Sequence, residues 1–438
     1  MKKIFSSPWG FIPTLYLAEG FPYIIINVVS VLLYQDLGIP NDKIAYWTGW
    51  LFLPWILKMF WSPLVDANST KRRWLLTAQL VLSVLLLAIA GIVAASAFTQ
   101  VHTVFQFTLL GFFVGAFASA TLDIATDGYY LLALTPKDQS LFVGVRTFFY
   151  RVAMILGSGI LISLTGALTE RGYMPKPYNW VVLFGGLGTL FLLFAAFHAA
   201  VLPRPQQDGP AVNSQAVAFK EAFAAYFTQK NILYILLFIL LYRFGEALLE
   251  KIVPLFLRGS VESGGLAMSL QDFGTIKGTL GLCGIIAGNL LGGWLLSKFS
   301  FKKCIWPFAC ALVLPNFFYV YLAACKPGLP IIATLITLEN FGYGLAMMAL
   351  TVFIMYVSQG KYKTSHYAIS TGIMALGMMI PSMLSGKMQV ALGYEKFFWV
   401  TALISLISFA VVPLCFKIKS LEETEQRFKQ SRSAKEEK

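Results

Sequence analysis

The residues in this chain best suited to chemistry are charges set inside long apolar runs. Eight acids stand in or at the edges of such runs: Glu19, Asp66, Asp123, Asp127, Glu246, Glu250, Asp272 and Glu339. Seven bases stand there too: Lys58, Arg146, Arg151, Arg243, Lys251, Lys277 and Lys387. Within a bilayer a lone charge near the centre costs at least about 2.5–3.5 kcal/mol, so residues of this kind face a partner or a cavity and mark a pathway. The near balance of signs fits mutual pairing. Asp123 and Asp127 are four apart and share one helix face. Two neighbouring carboxylates resist double ionisation, which suits a proton carrier. An ion-pair latch with Arg146 and Arg151 would use the same residues, and the two roles can coexist.

Counting from the connection near Lys137 sharpens the pairing. Asp123 lies fourteen residues before it and Arg151 fourteen after; Asp127 lies ten before and Arg146 nine after. At about 1.5 Å of rise per residue, antiparallel helices would bring Asp123 to the depth of Arg151 and Asp127 to that of Arg146. Farther along, Arg243, Glu246 and Glu250 are spaced to share a face, with Lys251 expected to point elsewhere and snorkel outward. Tyr16, Tyr23, Tyr129, Tyr130, Tyr150 and Tyr242 could stack on a sugar or aromatic ligand, although aromatic residues also gather at membrane interfaces. The five cysteines show no C-x-x-C spacing and the three histidines make no motif, so neither a metal site nor a disulfide framework nor a cofactor is expected.

The elements that must position these charges are membrane helices. Of the 438 residues 57% are hydrophobic and 13% charged, about half the charged share of a soluble domain. The mean hydropathy is +0.70. The apolar blocks predict twelve spans, at 9–34, 43–65, 74–97, 102–134, 139–166, 178–201, 231–257, 267–297, 304–325, 329–358, 366–391 and 396–416. About 20 apolar residues cross a bilayer as a helix, which satisfies its own backbone there. The Gly372–Met383 stretch reads as close helix packing.

Lysine and arginine set the orientation. With the N-terminus in the cytosol, 21 of the 34 Lys and Arg fall on that side, 6 on the other, and the rest inside spans. That bias puts both termini in the cytosol, with Lys71–Arg73, Lys220 and the tail inside and Arg171–Lys176 outside. The net charge of +13 is then mostly a topology signal, and no nucleic-acid partner is expected. The first apolar block is too long and carries Glu19, so it reads as a span rather than a cleaved leader.

The chain divides at Pro203–Asn231. Residues 1–202 form one six-span bundle and 231–416 another. Between them, 203–230 is a cytosolic linker, and Phe219, Phe223, Tyr226 and Phe227 at helical spacing make either an amphipathic surface helix or a partly ordered connection. Residues 417–438 are expected to form a solvated, mobile cytosolic tail. The halves look like distant copies. Ser62-Pro63-Leu64-Val65-Asp66 before Lys71-Arg72-Arg73 matches Gly293-Trp294-Leu295-Leu296-Ser297 before Lys302-Lys303. Leu15-Tyr16 before Glu19-Gly20 matches Leu241-Tyr242 before Gly245-Glu246. Two such repeats with a site between them are a transporter architecture.

These residues resemble a known family. The small-x-x-x-Asp pattern ending at Asp66, followed by basic residues, resembles the loop motif of the major facilitator superfamily. More narrowly, Leu57–Asp66 followed by Arg72-Arg73-Trp74-Leu75-Leu76 is similar to the anhydromuropeptide permeases (AmpG-type) and the acetyl-coenzyme A transporters. So are Ala120–Asp127 followed by Tyr150-Arg151, and Gly245-Glu246-Ala247. The muropeptide permeases usually carry Gln just before the first Asp of Asp-x-x-x-Asp, where this chain has Leu122. The resemblance implies an all-α integral membrane protein of twelve helices in two pseudo-symmetric bundles. It also implies that spans 1, 4, 7 and 10 line the pathway, which places Glu19, Asp123, Asp127, Arg243, Glu246 and Glu339 on it, with Arg146 and Arg151 as partners.

The expected function is secondary transport of a small polar solute by alternating access, coupled to protons, with no enzymatic activity. The mid-depth cations Arg243 and Arg151 favour an anionic or zwitterionic solute, muropeptide-like by the resemblance. A siderophore, a peptide or a coenzyme A thioester is the alternative. A membrane-embedded transferase is the competing class, and the chain lacks the metal-ligand or His/Asp cluster such enzymes carry. Asp66 with Lys71, Arg72 and Arg73 is expected to gate the cytosolic side. No nucleotide-binding loop is present. A monomer in a bacterial-type inner membrane is expected.

Overall fold

The computed structural model describes residues 7–206, 208, 209, 215–358, 362–418, 421 and 426. Lys2, Lys3, Lys361 and most of the tail lie outside the described residues, as do the side chains of Asp66, Lys137 and Lys220. Among the described residues every regular element is a helix.

Ten continuous helical runs are long and apolar enough to cross a membrane, and they accommodate eleven of the twelve expected spans. The last run, Ser365–Cys415, turns at Gly393, whose φ of 74° and ψ of 169° are non-helical. Glycine is needed there because a Cβ disfavours positive φ, so the run holds spans 11 and 12. Span 2 is missing from the ten because its helix is interrupted into short pieces. It is present as Asn41–Gly49, the short turn Trp50–Phe52 and Leu53–Asn68.

Other spans are interrupted where the sequence reads as continuous. Span 1 contains a π-helical turn at Ile25–Val29, span 5 one at Ile155–Ile160 and span 8 one at Gly274–Gly281. Span 7 breaks into Ile232–Leu241 and Phe244–Arg258, with Arg243 at φ −115° and ψ 22°. Side chains close several helix ends: Thr70 Oγ1 accepts from the Arg73 amide at 3.1 Å, and Ser269 Oγ from the Asp272 amide at 3.0 Å. Ser269 is the cap, and Asp272, counted among the intramembrane acids, stands in the first turn, its carboxylate accepting from the Ser269 hydroxyl at 2.9 Å.

The chain forms two compact units, Met1–Asn213 with Ala267–Thr279, and Ser214–Leu266 with Leu280–Lys438. Within the first, span 1 packs on span 5, span 2 on span 4, and span 3 on spans 4 and 6. Within the second, span 7 packs on spans 11 and 12, span 8 on span 10, and span 9 on spans 10 and 12. These pairings correspond six spans apart, which is the internal repeat expressed as packing. The linker segment Gln215–Phe227 is helical and belongs to the second unit. Its Tyr226 is fully buried and shares a 2.9 Å hydrogen bond with Ser370 at the start of span 11.

Candidate functional site

In the first unit four helices bring five charges together. Lys58 of span 2 donates to Asp123 of span 4 in a close ion pair. One turn along span 4, Asp127 pairs with Arg146 of span 5 at 2.8 Å. Tyr16 of span 1 donates to the same Asp127 oxygen at 2.9 Å and accepts from Arg146 at 3.1 Å. The guanidinium lies over the Tyr130 and Tyr16 rings, 5.0 and 5.5 Å from their centroids. Glu19, one helical turn beyond Tyr16, is buried with its carboxyl in hydrogen-bonding reach of Asp123.

Helical spacing explains the convergence: Tyr16 and Glu19 on span 1 and Asp123 and Asp127 on span 4 each share a face. The Asp127 side chain is 51% accessible and the Arg146 side chain 30%, so that end of the cluster is open, whereas Glu19 at its other end is only 7% exposed. Three acids face two bases.

One expected pair is absent. Asp123 is held by Lys58, and no ion pair joins it to Arg151 among the described residues; Arg151 instead approaches Met154 Sδ at 3.8 Å. Span 5 packs chiefly along span 1, while span 4 packs against span 2. Lys58 therefore reaches Asp123 first. Its apolar neighbours gave the sequence no spacing that would tie it to Asp123.

In the second unit Arg243 donates to the Tyr343 hydroxyl, its guanidinium 4.8 Å from the ring centroid. Glu339 accepts from Tyr319 at 3.0 Å and from Asn340 at 2.7 Å. Arg243, Glu246 and Glu339 are all buried. Arg243 stands at the break in span 7, at the N-cap of Phe244–Arg258, with Glu246 in the first turn of that helix. Lys251, expected to snorkel outward, is fully buried. Tyr319, Tyr343 and Asn340 escaped the sequence reading because single polar residues in a span carry no periodic signal.

The expected gating residues take structural partners. The Arg72 guanidinium donates to the Ala199 and Leu202 carbonyls at the end of span 6, and Asp208 accepts from the Lys71 and Arg72 amides at 2.6 and 3.1 Å. His198, without a motif in sequence, is fully buried between Thr14 and Gln79, 3.0 Å from each. It ties span 6 to spans 1 and 3.

The family model of the Major Facilitator Superfamily matches residues 14–380 and again 260–437. The chain belongs to the major facilitator superfamily. As a member it is a multi-pass integral membrane transporter of a small solute and not an enzyme. It is 24% identical over 406 residues to putative transporter AmpG 4 of Rickettsia conorii, covering 89% of this chain and 92% of that one. It is 23% identical over 349 residues to the anhydromuropeptide permease of Escherichia coli K12, covering 78% and 67%. In fold it is similar to the D-xylose-proton symporter, with a TM-score of 0.71 at 12% identity over 92% of this chain and 95% of that one.

Proposed function

We propose that this transporter moves an anionic or zwitterionic, muropeptide-like solute by alternating access, driven by protons, as a monomer in a bacterial inner membrane. The observation that carries the reading is the five-charge cluster of the first unit. Its three carboxyls and two cations leave one negative charge in excess, which one bound proton neutralises. A cluster inside a membrane protein that is neutral with a proton and charged without it can couple proton movement to a conformational change, because charge there is costly. A muropeptide offers carboxylates for Arg146, Lys58 or Arg243 and sugar faces for Tyr16 and Tyr130. The name of the Escherichia coli relative supports the solute class. Glu19, Asp123, Asp127, Arg146, Arg151, Arg243, Glu246 and Glu339 are assigned to the pathway, and Asp66, Lys71, Arg72 and Arg73 to gating.

Uptake of radiolabelled anhydromuropeptide into proteoliposomes tests this. An imposed proton gradient, acid outside, should drive accumulation above equilibrium, and a protonophore should abolish it. Equal uptake with and without the gradient would overturn proton coupling, and no uptake of the muropeptide under either condition would overturn the solute class.

A further inference from the structure

We infer that Glu19 is the residue that carries the transported proton, and that Asp123 stays ionised as its hydrogen-bond acceptor and as the counter-ion of Lys58. This rests on the proton-coupled reading above and goes beyond it by naming the atom group. The Glu19 carboxyl faces the Asp123 carboxylate within hydrogen-bonding reach. Two ionised carboxylates in that position have no donor between them. Glu19 Oε2 is buried, with no hydrogen-bond donor offered to it among the described residues. A buried polar atom without a partner is costly, and a proton on Glu19 removes the cost by making that carboxyl the donor to Asp123.

The neighbouring acids are differently supplied. Asp123 receives the Lys58 ammonium, and Asp127 receives both Arg146 and the Tyr16 hydroxyl. Each is provided for as an anion. The other charged and titratable groups around Glu19 are Asp127 on span 4, Lys58 on span 2, Tyr16 on its own span, and Tyr150 and Arg146 on span 5. No cation contacts Glu19 directly among the described residues. When the proton leaves to water, Glu19 becomes a carboxylate beside Asp123, and the Lys58 ammonium must serve both. That redistribution is the signal the coupling needs.

Infrared difference spectroscopy of the full-length protein in lipid nanodiscs, stepped across pH, reads the proton directly and needs no solute. The C=O stretch of a protonated carboxylic acid should appear, shift when glutamate side chains carry a 13C carboxyl, and stay put when aspartate is labelled. It should be lost in Glu19→Gln and retained in Glu19→Asp. In proteoliposomes Glu19→Gln should lose gradient-driven accumulation while keeping measurable counterflow exchange. A band that moves with aspartate labelling, or that survives Glu19→Gln, overturns the assignment. So does gradient-driven accumulation by Glu19→Gln at the wild-type level. If wild-type uptake ignores the gradient while the band still maps to Glu19, the coupling reading has failed and the location of the proton stands.

Discussion

Two cations were candidates for Asp123, and Lys58 of span 2 takes it, although the helix of Arg151 also meets span 4 through the Arg146–Asp127 pair. Residue counts along the chain carried depth faithfully: Asp127 and Arg146 meet as the counting required. Counts carry no information on which way a helix is turned, and that rotation decided the Asp123 partner. The pair can be weighed by a double-mutant cycle. Lys58→Met leaves Asp123 facing Glu19 with no cation, and Asp123→Asn leaves Lys58 without its acceptor. Each single change should lower stability by about 1–2 kcal/mol, below the cost for a fully buried pair because the Lys58 side chain is 38% accessible. The double change should cost less than the two singles together, measured as the thermal transition of the purified protein. Strict additivity would show that the pair is not coupled.

At the scale of elements, helix positions were legible because apolar runs of span length have few alternatives, whereas helix contacts were not. Close packing was expected in Gly372–Met383, and Gly377 does lie against Leu240 of span 7. A tighter contact went unread although its signal was in the sequence. Gly284, Gly288 and Gly292 recur every fourth residue along span 8, the small-residue pattern that lets membrane helices approach closely. They carry the packing on span 10 within the second unit. A Cβ at Gly288 would lie 2.1 Å from the Phe341 carbonyl oxygen, and backbone cannot yield as a flexible side chain can. Gly288→Ala should therefore destabilise by about 1–3 kcal/mol and lower the thermal transition. Gly91 supplies the control, since nothing lies within 4 Å of its Cβ position in the helix Lys71–Ala94. Gly91→Ala should be neutral or stabilising by up to about 1 kcal/mol. If both variants behaved alike, the span 8–span 10 contact would not be limited by Gly288.

For the whole molecule, the repeat was legible from two short matches between the halves, and the packing pairs six spans apart give it physical form. Orientation rests on the distribution of Lys and Arg, and each unit's own contacts group the loops consistently with it. In the first unit the Lys71–Arg73 segment meets the end of span 6 through Arg72 and Asp208. At the opposite end Lys176 pairs with Asp36 at 2.9 Å, and Trp180 donates to the same carboxylate at 3.1 Å. In the second unit Asn231 donates to the Lys417 carbonyl at one end, and Lys326 to the Val261 carbonyl at the other. The basic-rich loops thus share an end within each unit, and the positive-inside rule predicts that this end is cytosolic. Single cysteines can test this once the exposed Cys283 and Cys325 are replaced by serine. Cysteine at Tyr173, which is 73% exposed, or at Lys326 should react with a membrane-impermeant maleimide on intact cells. Cysteine at Arg73 should react only after permeabilisation. Labelling of position 73 from outside intact cells, with position 173 protected, would invert the topology and reverse the direction assigned to the proton gradient.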